Sequence, residues 1–328
     1  MRNSIINQLA DLCCKNDPLV LLDIGAAGGL HDKWTPLRDY LMSIYVEPDP
    51  VAYKELVESS PSQDVFIDIA LDKEQGKVNF YLTKEPVCSS IYKPIKTYLS
   101  KFDRSDRFDV DETINIPVST LDYELEIKNI HNIDFLKIDT QGSELSILSG
   151  GLCAVNSTFG MEIEVGFTRL YENQPLFHDV DKFMNENGFV LFDISRHFWR
   201  RKAAGLKGSF KGQLIWGDVL YLKSIEALSD ELKKIDDTQL RENKFVKAVI
   251  VCLQYGYPDY AFEIVDTMMI DISHQKREAV KLLLDSYMEN STRMREFMGK
   301  QKIAAFFQMI TAYLTQNQFN SDDPKLGN

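Results

Sequence analysis

Short apolar runs alternate with stretches of helical spacing through the first two thirds of the chain. Apolar runs that end at glycine or at a single acidic residue are typical of strands buried on both faces of a parallel sheet. They predict seven core strands, at 20–25, 43–50, 64–72, 133–142, 159–167, 188–195 and 218–224. Helices are predicted between them at 34–42, 51–60 and 143–155, and an added antiparallel strand at 76–83. This alternation indicates an α/β fold with a doubly wound, mainly parallel sheet, whose ligands bind at the carboxyl ends of the strands.

The pattern changes after about residue 225. From there apolar residues recur at three- and four-residue spacing, and no segment has the pattern of a strand. We therefore expect two domains, an α/β domain at 1–224 and an all-α appendage at 225–328. The helices of the appendage could join two copies of the chain or bind a partner protein.

Composition and charge narrow the possible partners. The formal net charge of −12 argues against a general nucleic-acid-binding protein, because phosphates would be repelled. No apolar stretch is long enough to span a membrane, and the N-terminus lacks the pattern of a signal peptide, so a cytoplasmic protein is expected. The five cysteines and five histidines have no metal-site spacing, and we predict no metal centre.

The turn after the first strand contains three glycines, in the sequence DIGAAGG at 23–29. A dinucleotide-binding turn requires the spacing G-x-G-x-x-G, and the second and third glycines here fall at other positions. Asp23 would also point a negative charge toward a diphosphate. S-adenosylmethionine carries a positive sulfonium and no phosphate, so it suits this turn better than NAD or FAD. A nucleotide-dependent oxidoreductase is the less favoured alternative.

Acidic residues follow three successive strands. Asp23 ends the first, Glu47 ends the second and Asp68 lies in the third. Each separation is about one strand–helix unit, so all three side chains can line one edge of the sheet. An acid after the second strand is commonly placed to accept the hydroxyls of a ribose. The set predicts a bound nucleoside.

Several motifs resemble, in order, those of the FkbM-type methyltransferase family over residues 18–224. They are DIGAAGG, VEPDP, IALDKEQGKVNFY, STLDYELEIKNIHNIDFLKIDTQGSELSILSGG and MEIEVGFTRLYENQPLFHDVDKFMNENGFVLFDI. The resemblance implies a class I, Rossmann-like fold in which the seventh strand runs antiparallel between the fifth and sixth. It also implies S-adenosylmethionine-dependent methyl transfer to a hydroxyl oxygen of a sugar, glycan or related natural product. A non-catalytic S-adenosylmethionine-binding or interaction protein is the alternative.

The resemblance also implies roles for residues of this sequence. Asp23, Gly25 and the adjoining backbone would hold the methionine moiety, Glu47 the ribose, and Asp68 the adenine border. The full cofactor set is Asp23, Gly25, Ala26, Gly28, Glu47, Pro48, Asp68, Ile69, Ala70 and Asp139. Gln141 and Glu144 follow Asp139 on the next turn and are expected to contact the acceptor.

A hydroxyl nucleophile needs a base to take its proton. The candidates are Asp139, Glu162, Glu164 and His178, with His178 also a candidate for acceptor binding. Glu162 and Glu164 are two residues apart on a strand and therefore share a face. In the alternative interpretation one of them pairs with Lys137 or Arg169, or Asp139 and Glu164 share a divalent metal.

The segment between the sixth and seventh strands is strongly basic. It contains no acid between Asp193 and Asp218 but carries Arg196, Arg200, Arg201, Lys202, Lys207 and Lys211, with Trp199 and Trp216 among them. Arginine binds phosphate through its bidentate fork. Trp199, Arg200 and Arg201 therefore predict a loop that binds a phosphate-bearing sugar, nucleotide- or lipid-linked. A solvated basic loop or a subunit contact is the alternative.

Overall fold

The strands come from all parts of the chain. The computed structural model describes residues 2–204, 211–268, 272–292 and 319–321. In chain order its strands are β1 (Leu19–Ile24), β2 (Leu41–Val46), β3 (Val65–Ile67), β4 (Ala70–Leu71), β5 (Gly76–Thr83), β6 (Val110–Ser119), β7 (Phe135–Ile138), β8 (Gly160–Gly166), β9 (Phe189–Trp199), β10 (Gln213–Lys223) and β11 (Phe319–Ser321).

The main sheet has the strand order β11-β9-β10-β8-β7-β1-β2-β3. The strands β3, β2, β1, β7 and β8 run parallel to one another. Strand β10 lies antiparallel between β8 and β9. This arrangement confirms the predicted mainly parallel sheet of seven strands, with the last predicted strand reversed between the fifth and sixth.

One predicted strand needs correction, and two strands of the structure were not predicted. The segment 64–72 is not one strand, because β3 ends at Ile67 and β4 pairs instead with β6 in a separate sheet of order β4-β6-β5. The strand predicted at 76–83 exists as β5 and pairs antiparallel with β6. Strand β6 was not predicted, because most of its residues are exposed and form no apolar run. The short strand β11 lies in the region expected to be all helical and extends the sheet beside β9.

Helices cover both faces of the main sheet. They are α1 (Arg2–Cys13), α2 (Pro50–Ser59), α3 (Lys96–Leu99), α4 (Leu121–Ile127), α5 (Glu144–Ser149), α6 (Leu152–Ser157), α7 (Phe177–Glu186), α8 (Ile225–Lys233), α9 (Thr238–Tyr255), α10 (Pro258–Thr267) and α11 (His274–Thr292). The helix predicted at 34–42 is a 3₁₀ helix over Asp32–Tyr40 with Pro36 inside it. In the described part of the chain, no helix is both long enough and apolar enough to cross a membrane.

Alternating residues of the strands enter two different cores. Leu22 and Leu136 pack with α5, α6 and α7 on one face. Leu21 and Phe135 face the other way and join one hydrophobic core with α1, α8, α9 and α10. A domain boundary at residue 224 stays a prediction, and the described C-terminal helices share a core with the sheet.

A buried ion pair also fastens α9 to the start of β7. The Lys247 Nζ lies 3.2 Å from Asp134 Oδ2, and both side chains are almost fully buried. Asp134 in turn accepts a hydrogen bond from the backbone N–H of Val20 in β1. Helix α9 is therefore attached to the two central strands of the sheet by polar as well as apolar contacts.

Candidate functional site

Four parallel strands end level with one another at the carboxyl edge of the sheet. Ile24 is in register with Val46 and with Ile138, and Val46 is in register with Ile67. The residues that follow these strand ends are Gly25, Glu47, Asp68 and Asp139. The structure thus places four residues of the predicted cofactor set along one edge.

The glycine turn after β1 is closely packed against the end of β7. The Gly25 N–H donates to the Val46 carbonyl at 3.0 Å, and Gly25 has a φ of +79°. A Cβ atom built on Gly25 would lie 1.9 Å from the Asp139 carbonyl oxygen. Only glycine fits there, in agreement with the predicted close approach. Ala26 is buried and donates to the same Val46 carbonyl, whereas Gly28 is exposed and a Cβ there would meet nothing within 4 Å.

Asp23, predicted to hold the methionine moiety, is buried and paired with a lysine. Its side chain is 4% exposed, and its Oδ1 lies 3.3 Å from the Lys137 Nζ. Burial raises the pKa of Asp23 to about 6, although the nearby Lys137 ammonium acts in the opposite direction. Asp23 therefore supports the turn from within the sheet as half of an ion pair.

Glu47 connects the end of β2 to the glycine turn. Its side chain is buried, and its Oε1 accepts a hydrogen bond from the Asp49 N–H at 2.9 Å. A further bond from the Ala27 backbone favours the charged carboxylate, yet burial has the larger effect and raises the pKa of Glu47. Glu47 is thus a carboxylate with a fixed orientation, as a ribose contact requires.

The rest of the predicted adenine border lies beside Glu47. Pro48 and Asp68 are exposed, Ile69 is half-buried, and Ala70 is buried where β4 begins. The two exposed residues follow β2 and β3 and leave this side of the edge open to a ligand.

The segment after the glycine turn is unsuited to a diphosphate. Dinucleotide sites place the pyrophosphate against the N-terminus of the α-helix that follows the first strand. Here β1 is followed by the 3₁₀ helix at Asp32–Tyr40, and the His31 side chain accepts a hydrogen bond from the Lys33 N–H at its start. The side chains at this edge are instead acidic, and negative charge suits the cationic nucleoside S-adenosylmethionine.

Asp139 and Glu164 form a carboxyl pair at the ends of β7 and β8. The Gln141 Nε2 donates to Asp139 Oδ1 at 3.2 Å and to Glu164 Oε2 at 3.0 Å. Burial raises the pKa of Glu164 well above its usual value, and the negative charge of Asp139 adds to this effect. The structure thus joins two predicted catalytic residues through a predicted acceptor-binding residue.

Glu144, predicted to contact the acceptor, lines the same cavity as Gln141 and also stabilises the turn that carries it. Its Oε1 accepts hydrogen bonds from the Thr140 N–H at 2.9 Å and from the Gly142 N–H at 3.0 Å. Burial raises the pKa of Glu144. These bonds fix the turn on which Gln141 adopts a φ of +58°. Glu144 therefore shapes the turn that carries Gln141.

A cavity of about 170 Å³ opens beside the carboxyl pair, and Glu164 and Gln141 line it. Its other walls include Arg107 and Tyr171, which were not predicted to bind the acceptor, and Trp216 of β10, which belongs to the segment that was. The one sequence signal for Tyr171 is its place in the last family motif. We refer to this space as the acceptor cavity.

Tyr171 links the acceptor cavity to the segment before β6. Its hydroxyl donates to the Cys88 carbonyl at 2.9 Å and lies 3.2 Å from Gln141 Oε1. Because Tyr171 is buried, the pKa of its hydroxyl is raised well above 10 and the group stays protonated. Tyr171 therefore holds Gln141 from the side opposite the carboxyl pair.

The described residues of the predicted basic acceptor loop pack against the segment 102–103. The Trp199 ring is buried, stacks on Phe102 at 4.7 Å and donates its Nε1–H to the Asp103 carbonyl. Trp199 lines the acceptor cavity, but the stacking surface predicted for a sugar is covered by Phe102. Arg201 lies over the same Phe102 ring, and the buried Arg200 accepts a backbone hydrogen bond from Asp103. Neither arginine lines the cavity, and Lys207 lies outside the described residues.

Two further candidates lie away from the carboxyl pair. His178 is 72% exposed on α7, and its Nε2 is 3.4 Å from Asp179 Oδ1. Glu162 shares a face with Glu164, but its carboxylate pairs with Lys33 at 3.3 Å. It lines a second cavity, of about 350 Å³, between the sheet and α9. Within the described ranges, no group of three or more histidine, cysteine, aspartate or glutamate residues is placed to hold a metal ion.

Comparison with solved structures returns methyltransferases of low sequence identity. One is magnesium protoporphyrin IX methyltransferase from Synechocystis PCC 6803 with bound S-adenosylmethionine, with 9% identity, 68% of this chain and 79% of that chain covered, and a TM-score of 0.33. Another is TrmK of M. capricolum with S-adenosylhomocysteine, with 10% identity, 88% and 97% covered, and a TM-score of 0.31.

Sequence comparison is more specific. The curated 2-O-methyltransferase NoeI of Sinorhizobium fredii (strain NBRC 101917 / NGR234) is 28% identical over 176 residues, which is 51% of this chain and 71% of that protein. The family described as methyltransferase FkbM domain matches residues 23–191, which contain the glycine turn, Glu47 and the carboxyl pair. The chain belongs to the FkbM methyltransferase family and uses S-adenosylmethionine as its methyl donor.

Proposed function

We propose that this methyltransferase transfers the methyl group to a hydroxyl oxygen of a sugar or glycan. The observation that carries the proposal is the carboxyl pair, Asp139 and Glu164, which Gln141 joins beside the acceptor cavity that Glu164 and Gln141 line. The 2-O-methyl transfer named for the relative from Sinorhizobium fredii supports oxygen as the target atom.

The carboxyl pair supplies the base that a hydroxyl nucleophile needs. A carboxyl group with a raised pKa accepts a proton more readily than an ordinary surface acid. The negative charge of Asp139 favours the uptake of a proton by Glu164. The Gln141 amide keeps both carboxyl groups in place while the proton moves.

The methyl donor belongs at the edge formed by the glycine turn. The Gly25 turn and Glu47 would hold it, with Asp68 beside the adenine. When bound, S-adenosylmethionine supplies an electrophilic methyl group on its sulfonium. The protein gains most by aligning donor and acceptor, and orientation of this kind contributes roughly 7–11 kcal/mol in well-aligned systems.

The acceptor cavity suits one six-membered ring. An engineered cavity of about 150 Å³ in another protein holds a benzene molecule, and this cavity measures about 170 Å³. Trp216 and Tyr171 supply aromatic surface in its wall, and Gln141 supplies hydrogen-bonding groups. A phosphate-bearing acceptor would meet Arg107 here, rather than the predicted Arg200 and Arg201.

The proposal is tested by methyl transfer from radiolabelled S-adenosylmethionine to monosaccharides, oligosaccharides and sugar nucleotides. Glu164→Gln should lower kcat by roughly 10²- to 10⁴-fold, the usual contribution of general base catalysis, without weakening the binding of S-adenosylhomocysteine. Glu172→Gln is the matched control, since Glu172 is exposed on the loop that carries Tyr171. Full turnover by Glu164→Gln, or transfer to none of the sugars by a protein that binds S-adenosylhomocysteine, would contradict the proposal.

A further inference from the structure

We propose that Tyr255, at the C-terminal end of α9, is a positioning residue for the cofactor-binding turn. The inference rests on the proposed placement of the methyl donor at Gly25 and Glu47. Helix α9 lies outside the stretch that matches the family, which ends at residue 191. The C-terminal helices would then be part of the cofactor site of this protein.

Tyr255 contacts the segment that directly follows the glycine turn. Its hydroxyl donates to Glu162 Oε2 at 2.7 Å. The Lys33 Nζ lies 3.3 Å from the same carboxylate oxygen and 3.8 Å from the centre of the Tyr255 ring. The neighbouring Gln254 side chain donates to the Lys33 carbonyl. Lys33 is therefore held by the end of α9 through its ammonium group and its backbone.

Aromatic packing fixes the next residue along the chain. Trp34 is 3% exposed and packs on Phe135 of β7, with ring centres 5.1 Å apart. Tyr255 stacks on the same Phe135 ring at 4.9 Å and meets Trp34 edge-on at 6.1 Å. The three rings form one cluster, so a shift of Tyr255 is transmitted to Trp34.

The turn itself depends on how its two ends are held. Residues 25–31 contain no regular helix or strand, and Gly25, Gly28 and Gly29 have positive φ angles. The first end is fixed by the Gly25 and Ala26 N–H groups on the Val46 carbonyl. The second end is the segment held by Tyr255. A turn with one loosened end must be ordered at the moment of binding, and this ordering lowers the affinity for the ligand.

The Tyr255 hydroxyl remains a donor over the working pH range. Burial raises the pKa of Tyr255 well above 10, and the negative charge of Glu162 raises it further. A phenylalanine at this position would keep the ring in the cluster and remove the hydrogen bond alone. This makes Tyr255→Phe a narrow test of the hydroxyl.

Tyr260→Phe is the matched control. The Tyr260 hydroxyl donates to the Lys223 carbonyl at 2.8 Å, and its ring packs on Phe192, away from the glycine turn. Isothermal titration calorimetry with S-adenosylhomocysteine should show a Kd about tenfold higher for Tyr255→Phe, which equals about 1.4 kcal/mol, and an unchanged Kd for Tyr260→Phe. At saturating S-adenosylmethionine, kcat should be unchanged in both variants. Hydrogen exchange of residues 25–34 should quicken only in Tyr255→Phe.

Wild-type affinity in Tyr255→Phe, or equal weakening in Tyr260→Phe, would overturn the inference while leaving the proposed function intact. Failure of the wild-type protein to bind S-adenosylhomocysteine would overturn the cofactor site and the inference together. If Tyr255→Phe does not fold, Lys33→Met serves instead, because the Lys33 side chain is one-third exposed and the tyrosine–Glu162 bond is retained. The same rise in Kd is expected there, and an unchanged Kd would overturn the inference.

Discussion

Replacement of Gly25 by alanine tests the contact between the glycine turn and the end of β7. The added methyl carbon would lie 1.9 Å from the Asp139 carbonyl oxygen, well inside the 3.0 Å below which something must shift. The atom it meets is backbone, so no side-chain rotation relieves the clash. The two segments must separate, and Asp139 would move away from Glu164 as they do.

The expected loss of stability has two parts. An alanine at a φ of +79° costs about 1–2 kcal/mol of backbone strain. Forcing a methyl group into a filled space adds about 1–3 kcal/mol. Gly28→Ala measures the backbone strain without the steric clash, because Gly28 has a φ of +99° but a Cβ there would meet nothing within 4 Å. We therefore expect losses of about 1–2 kcal/mol for Gly28→Ala and about 2–5 kcal/mol for Gly25→Ala.

Urea denaturation of both variants measures the difference in the free energy of unfolding. Isothermal titration calorimetry then measures whether folded Gly25→Ala still binds S-adenosylhomocysteine, and we expect that it does not. Equal stabilities of the two variants would show that the close approach at Gly25 adds nothing beyond strain. Wild-type affinity in Gly25→Ala would show that the cofactor site does not depend on this contact.

Two further predictions concern proton binding. Burial raises the pKa of Asp23 from 3.8 to about 6, so its contribution to stability is present below pH 3.8 and is lost as the pH rises through 6. Asp23→Asn should flatten the pH dependence of unfolding in that window, and an unchanged slope would contradict the assignment. Gln141→Ala removes a donor shared by Asp139 and Glu164, and loss of a donor to a carboxylate raises its pKa. The acid limb of the kcat–pH profile should therefore move to higher pH and kcat should fall, whereas an unmoved limb would exclude Gln141 from this role.

The residues at the carboxyl edge of the sheet could be predicted because the order of the strands along the chain determines which residues lie there. In a parallel sheet the carboxyl ends of successive strands meet at one edge, so acids that end apolar runs must lie near one another. Glu47 and Asp68 were predicted in this way, Gly25 from its place in the turn, and Asp139 from the family resemblance. The spacing of the glycines also disfavours a dinucleotide, and the 3₁₀ helix at Asp32–Tyr40 agrees with that prediction.

The walls of the acceptor cavity could not be predicted in the same manner. Arg107 lies in a short 3₁₀ helix, Ser105–Phe108, and Tyr171 in an irregular segment, and their positions depend on tertiary contacts such as the bond from the Tyr171 hydroxyl to the Cys88 carbonyl. Composition also gave no information on how the described residues of the basic segment after β9 pack. A count of positive charges cannot show that Arg201 lies over the Phe102 ring and that the same ring covers Trp199.

Glu162 and Glu164 show why the face of a strand is not enough to assign a role. Both belong to β8 and point to the same side, but the charges around them have opposite signs. Glu162 has the Lys33 ammonium at 3.3 Å, and that charge compensates its partial burial. The charges that act on Glu164 are those of Asp139, Glu144 and Asp218, all of them acidic, while Gln141 contributes an uncharged donor. Since a buried carboxylate among acids binds a proton readily, Glu164 is suited to accept one from a hydroxyl, and Glu162 is suited to hold a helix in place.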